Sequence, residues 1–251
     1  MISAVLVSFN ERIKLERCLK NLQNFADEIV VMDLGSSDSS SIVCKKYNAK
    51  IFKHDFVPFV EIVRNDAIAK ASGEWILVLD PDEVVSDVLK VKLKQVILED
   101  KYQAVNIPRK NIFFGKWIAH TNWWPDKHIR FFKKGYISWS NKIHKYPEVS
   151  GKILDMEAQA DLAVIHYSYD SVKEFMDRQN RYSSAEAKNL HNNGIRFSFL
   201  LFLWKPMREF LARFIRHAGF LDGFYGFGLT ILMMIYQMEV MVKLWELERE
   251  K

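Results

Sequence analysis

Residues 75–83 read Trp75-Ile76-Leu77-Val78-Leu79-Asp80-Pro81-Asp82-Glu83. Five apolar residues in a row, bounded by the Gly73-Glu74 turn and by Pro81, predict a buried strand of an open α/β sheet. The acidic corner follows at once. Ligands of such sheets bind just beyond the carboxyl ends of the strands. Two carboxylates one residue apart can hold a hard divalent cation, which can in turn grip a diphosphate. The simpler alternative is that Asp82 and Glu83 only open the next helix, where acids meet the positive end of its dipole.

Outward from this strand, the first hundred residues alternate between two textures. Strand-like runs fall at 2–8, 28–34, 50–53 and 74–80, and helical stretches at 11–24, 38–47, 61–72 and 86–99. This order predicts a parallel sheet with right-handed crossovers. Between 103 and 168, short β-like pieces (103–108, 128–133, 136–139 and 162–166) alternate with loops rich in Trp, Asn, Lys and Pro. They read as an extension of the sheet that builds the second half of a site. From Ser171 the chain turns helical, with Asn193-Gly194 as a stop. The expected division is a nucleotide- and acceptor-binding domain over 1–170 and a helical region over 171–251.

At 251 residues the chain is long enough to bury a large core. Its 49% hydrophobic content, with ten Gly and six Pro, argues against disorder. A net charge of +5 permits nucleic acid, anionic membrane or phosphorylated ligands without choosing among them. Cys18 and Cys44 read as buried free thiols in a reducing cytosol. The N-terminus does not read as a signal peptide, because the strand-like run 2–8 is followed at once by Asn10, Glu11 and Arg12.

The tail carries most of the excess charge. Over 196–217, Arg196, Lys205, Arg208, Arg213 and Arg216 stand against Glu209, a balance of 5 − 1 = +4. They are interleaved with Phe, Leu and Trp, which suits helices lying in a membrane interface; packing on the protein's own domain or on a second copy is the alternative. The uncharged run 223–238 reads as too short and too glycine-broken to span a bilayer. Its Gly223, Gly226 and Gly228 follow no strand, so they form no dinucleotide fingerprint.

Other segments add to the acidic corner. Met32-Asp33-Leu34-Gly35-Ser36-Ser37-Asp38 places a carboxylate at a strand end before a small polar turn. That suits a nucleoside, although Asp38 is also an ordinary helix cap. Arg64-Asn65-Asp66-Ala67 puts an arginine on the helix before the acidic strand.

In this order, with Val5-Leu6-Val7-Ser8-Phe9-Asn10-Glu11 on the first strand, these motifs resemble family 2 of the inverting glycosyltransferases, with the GT-A fold. The resemblance continues through Trp124-Pro125-Asp126, Ile129-Arg130-Phe131-Phe132, Ile143-His144 and His166-Tyr167-Ser168. It reaches Arg213-Phe214-Ile215-Arg216-His217-Ala218-Gly219-Phe220-Leu221-Asp222-Gly223, a stretch similar to the lipopolysaccharide-core β-glucosyltransferases. The implied fold is α/β, a mostly parallel Rossmann-like sheet flanked by helices with a C-terminal helical appendage.

The resemblance also implies roles. Asp33 would meet the uracil or ribose of a UDP-sugar, with Asn10, Glu11 and Arg64 lining the nucleotide-sugar site. Asp80 and Asp82 would be the metal-binding pair for Mg²⁺ or Mn²⁺, with Asp82 the direct ligand. His144 would stand near the metal or pyrophosphate, or else be a hairpin histidine, and Arg130 near the diphosphate. The family tends to place Glu after that His as the catalytic base; here Lys145 stands there, and a protonated lysine cannot accept the proton. Asp126 is the first candidate to replace it and Glu148 the second. Trp123 and Trp124 would offer flat faces to acceptor sugars or fill the core.

The expected activity is transfer of a hexose, with glucose the candidate, from UDP to a glycolipid or lipid-linked saccharide. It would occur at the cytoplasmic face of a membrane reached through 196–240, with no nucleic-acid partner and with a homo-oligomer left open. A nucleotidyltransferase and a non-catalytic membrane-bound nucleotide-sugar sensor are the rival readings. The first lacks a glycine-rich basic loop after strand one, and Lys145 sustains the second.

Overall fold

The computed structural model describes residues 1–139 and 146–249. In chain order the strands and helices begin β1 (Ile2–Ser8), α1 (Arg12–Leu22), β2 (Glu28–Asp33), α2 (Ser40–Lys46), β3 (Lys50–Lys53), α3 (Glu61–Ala69), β4 (Trp75–Leu79), β5 (Glu83–Val85) and α4 (Asp87–Glu99). There follow β6 (Ala104–Phe113), β7 (Lys116–Trp117), β8 (Asp126–Lys133), β9 (Ile137–Ser138), β10 (Glu148–Val149), β11 (Ile153–Asp155) and β12 (Val164–Tyr169). The chain ends in α5 (Val172–Asn192), α6 (Phe199–Phe210) and α7 (Phe224–Arg249). It divides into two units: Met1–Arg109 with Asp126–His166, and Lys110–Pro125 with Tyr167–Lys251.

The main sheet runs β3-β2-β1-β4-β8-β6-β12-β5. The four strands β3, β2, β1 and β4 are mutually parallel, as the alternation of strand and helix predicts. The later strands extend the sheet: β8 runs antiparallel to both β4 and β6, and β5 antiparallel to β12. Burial on both faces explains why the run of β4 is continuously apolar. Ile2, Ala4, Leu6, Trp75, Leu77 and Leu79 pack with Leu15, Leu19 and Leu22 of α1 and Leu89 and Leu93 of α4. Val5, Val7, Val30, Met32, Ile76 and Val78 pack instead with Val63 and Ala67 of α3. Trp75 stacks on Phe131 of β8 with ring centroids 4.7 Å apart, joining the parallel and antiparallel halves. Cys18 and Cys44 are buried free thiols.

In the second unit, Ser171 caps α5 by accepting a hydrogen bond from Glu174 N at 3.1 Å, and the helix stops before Gly194, where φ is +76°. The expected glycine break is absent. Helix α7 runs unbroken through Gly226 and Gly228 for 26 residues, and by length and composition it is apolar enough to cross a membrane. Gly226 does not break the helix because its missing side chain is used in packing: a Cβ there would stand 1.9 Å from the carbonyl oxygen of Gly219.

Candidate active site

The first four strands carry their carboxyl ends to one edge of the sheet, and the acidic corner closes that edge. Glu83 N donates to Asp80 O at 2.9 Å, and Asp80 N donates to the Glu83 carboxylate at 2.9 Å, so the two residues brace one tight turn. The alternative in which Asp82 and Glu83 open a helix is thereby corrected. Glu83 begins β5 and is wholly buried. Helix α4 starts only at Asp87, behind Ser86, whose Oγ accepts from Leu89 N at 3.1 Å.

Three arginines converge on this corner. Arg130 of β8 donates through one nitrogen to Asp80 at 2.8 Å and to Glu83 at 2.6 Å. Arg64 of α3 reaches the other Asp80 oxygen at 3.3 Å. Arg109 of β6 stands 3.5 Å from Glu83. Burial alone would raise the Asp80 carboxyl, but the Arg130 and Arg64 charges outweigh it and hold it well below the usual carboxylate range. Some donors are left over: Ser8 Oγ, Arg64 Nε and Arg130 Nε are buried with no hydrogen-bond partner among the described residues. Ser8 ends β1, whose Leu6 pairs with Leu79. The buried orphan nitrogens of the two arginines that meet at Asp80 suit an anionic ligand.

Asp126 joins the network as an occupied carboxylate. One oxygen accepts two hydrogen bonds from Arg109, at 2.9 and 2.5 Å, and the other faces His128 Nε2 at 2.9 Å. Burial would raise its carboxyl, but the His128 hydrogen bond and the Arg109 charge overcome this and hold it far below the usual range. Such a carboxylate is a poor proton acceptor, which is a physical reason against Asp126 as the base. Burial favours neutral His128 and holds its pKa below the usual imidazole value, against the opposing pull of Asp126.

The loop that follows β2 is braced from within. Asp33, buried at the end of β2, accepts from Ser36 N at 3.1 Å. Asn10, at φ +53°, spends its side-chain oxygen on Ser37 N at 2.8 Å and Asp38 N at 3.3 Å. Asp38 accepts from Arg12 N at 3.0 Å and from Ser40 N at 3.0 Å, but the N-cap position of α2 is Ser39, not Asp38. Glu11 precedes α1 at the same edge.

Glu148 is exposed on the β9–β10 hairpin, opposite Ser138. His144 and Lys145 lie outside the described residues. Trp123 packs on Phe113 with centroids 4.8 Å apart beneath the Arg213 guanidinium, so it fills the core of the second unit. Trp124 is half-buried and meets Trp117 edge-on. Asn65 clamps the backbone of Trp139 with both side-chain atoms, at 2.8 and 3.2 Å, just before the undescribed stretch.

Glu83, Arg109, His128 and His166 were not singled out from sequence as site residues. The Asp82 carboxylate stands 3.4 Å from His166 Nε2. Among the described residues, no group of three or more His, Cys, Asp or Glu side chains is arranged to hold a metal. Asp80 and Asp82 still offer the hard oxygen donors that Mg²⁺ or Mn²⁺ combines with phosphate oxygens and water. The orphan donors beside them suit the phosphate, so the residues fit a cation that arrives with its diphosphate.

Residues 3–154 match the family model of glycosyl transferase family 2. The chain belongs to glycosyltransferase family 2. This family 2 enzyme is 26% identical over 98% of its length to an uncharacterized glycosyltransferase of Rickettsia typhi, covering 87% of that protein. It is 22% identical over 98% of its length to LpsC of Rhizobium meliloti, a lipopolysaccharide core biosynthesis glycosyltransferase, covering 92% of it. Among solved structures, TarS 1–349 of S. aureus superposes with a TM-score of 0.51 at 16% identity, over 72% of this chain and 64% of that one. The fold is therefore GT-A and the protein is a glycosyltransferase; the nucleotidyltransferase reading lapses.

Proposed function

We propose that the enzyme transfers a hexose, with glucose the candidate, from a UDP-sugar to a glycolipid, lipopolysaccharide-core or lipid-linked saccharide acceptor, with inversion. The observation that carries the donor reading is the pair of arginines, Arg64 and Arg130, that contact Asp80 and each keep a buried Nε without a hydrogen-bond partner among the described residues. The likeness to LpsC supports the acceptor class. Asp33 takes the uracil or ribose. Asp80 and Asp82 would hold a divalent cation, which when bound supplies Lewis-acid neutralisation of the leaving diphosphate.

The chain's own residues account for the rest. Arg64 and Arg130 orient the diphosphate, while Glu83 fixes Arg130 from beneath. The acceptor oxygen forms a bond to the anomeric carbon as the bond from that carbon to the diphosphate oxygen breaks. The hydroxyl proton passes to a base. The Asp126–His128 pair is the better candidate: ionised Asp126 holds Nε2–H of a neutral imidazole, leaving Nδ1 to accept the proton. Glu148 is the remaining carboxylate. Asp126 thus becomes a positioning residue.

The test is turnover of UDP-glucose with lipid-linked saccharide acceptors, alongside UDP affinity by calorimetry with and without Mn²⁺. Turnover with UDP released in step with product is expected. Tight UDP binding without turnover on any acceptor would support the sensor reading instead.

A further inference from the structure

We propose that the C-terminal unit docks on an anionic lipid surface through the outer face of α6 and the turn that follows it, with α7 lying against its own unit instead of crossing the bilayer. This deepens the membrane side of the function above and does not depend on the donor.

Helix α6 is built inside out. Phe199, Leu200, Leu203, Trp204 and Met207 are all exposed, Leu200 to 75%. At 100° per residue they fill one continuous arc of about 140°. The charged pair Glu209–Arg213, by contrast, is largely withdrawn from solvent, with Arg213 also donating to Thr121 O at 2.8 Å. A helix in water alone is expected to do the reverse. The turn after it adds a second apolar prong, with Phe220, Leu221 and Phe224 exposed, Phe224 to 83%.

Charge selects the occupant. Between Arg196 and Met238 the only acids are Glu209 and Asp222. Glu209 is paired with Arg213, and Asp222 is buried, accepting from His120 N at 2.9 Å. Arg196, Arg208 and Arg216 remain exposed. The apolar face therefore has a basic border with no exposed acid in this stretch, which complements anionic headgroups. A second copy would set like charges against one another.

The packing of α7 distinguishes lying on a membrane from spanning it. Glu239 accepts from Ser183 at 3.1 Å, Tyr236 is hydrogen-bonded to Glu186, and Lys243 donates to Asn180 O at 2.8 Å and Ser183 Oγ at 2.7 Å. These partners all sit on α5, which also carries Lys173, Asp177, Arg178, Arg181 and Lys188. A lipid-embedded α7 would draw this charged helix into hydrocarbon.

The experiment sediments the full chain with phosphatidylglycerol–phosphatidylcholine vesicles and with pure phosphatidylcholine vesicles, at low and high salt. Expected are binding to the anionic vesicles alone, weakening as salt rises, and at least a tenfold loss in Leu200→Ser/Trp204→Ala and in Arg208→Glu/Arg216→Glu. Unchanged melting temperatures in both variants would show that the fold survives, since all four side chains are exposed. Membranes from expressing cells should release the protein at high salt or alkaline pH. Absence of vesicle binding at low salt, or full binding by both variants, overturns the proposal. So does a wild-type dimer that Trp204→Ala dissociates, which would assign the face to a second copy. Retention until detergent is added would assign α7 a spanning role.

Discussion

Arg130 and Glu83 form an ion pair in the interior, with 2.6 Å between nitrogen and oxygen. The Glu83 side chain is fully buried and that of Arg130 nearly so. Glu83 also takes the Asp80 N–H, so one carboxylate sets both the turn and the arginine that meets the candidate diphosphate. Removing one partner of a buried pair leaves an uncompensated charge, at a cost of about 3–5 kcal/mol. Glu83→Gln should lose a large part of that in urea unfolding, moderated by the remaining Asp80 contact. The double variant Glu83→Gln/Arg130→Met should be more stable than the two single losses summed.

Asp82→Asn should leave UDP affinity in the absence of metal close to wild type and remove its enhancement by Mn²⁺ or Mg²⁺. Titration calorimetry with and without the cation checks this. Metal-independent affinity in the wild-type protein would remove the cation from the reading of Asp80 and Asp82.

His128→Gln should lower kcat by roughly 10²–10⁴-fold, the usual worth of a general base, with donor Kd nearly unchanged. Asp126→Asn should also lower kcat, and its pH profile separates positioning from proton transfer. Asp126 raises the His128 pKa against burial. Its loss should therefore move the acid limb of the rate profile to lower pH. If His128→Gln and Asp126→Asn both turn over at the wild-type rate, the base passes to Glu148.

Glu28 ties the far end of the sheet together. It accepts from Ser72 N at 2.8 Å and from Ser3 Oγ at 2.5 Å, and it pairs with Lys50 at 2.6 Å. Burial would raise its carboxyl, but these bonds win and lower it from 4.5 to about 2. The folded value lies below the unfolded one, so its stabilisation is present in full above about pH 4.5 and is lost as pH falls toward 2. The shift corresponds to about 3 kcal/mol. Glu28→Gln should flatten the decline in unfolding free energy across that window.

Much of the first half was readable because strands buried on both faces, as β1, β2 and β4 are, leave largely apolar runs, while the edge strand β3 keeps only Ile51 and Phe52 between two lysines. The runs at 2–8, 28–34, 50–53 and 74–80 each contain an observed strand, and Asp33 and Asp80 follow from where those runs end. The role of Glu83 stayed open because an acid four residues past a strand end has the same local signature whether it opens a helix or turns inward. The unbroken α7 was missed for a related reason: glycine reads locally as a breaker, while Gly226 is required by the approach of Gly219.

What the sequence by itself determined is the order of parallel strands and helices, the carboxylates at their ends and the basic, aromatic character of the tail. These depend on neighbours a few residues apart. Only the tertiary structure decided that Arg130 reaches back 47 residues to Glu83, that Arg109 and His128 engage both oxygens of Asp126, and that α6 turns its apolar arc outward. The reason is physical: the energy of a buried charge depends on which opposite charge folding brings beside it, and no local pattern records that partner.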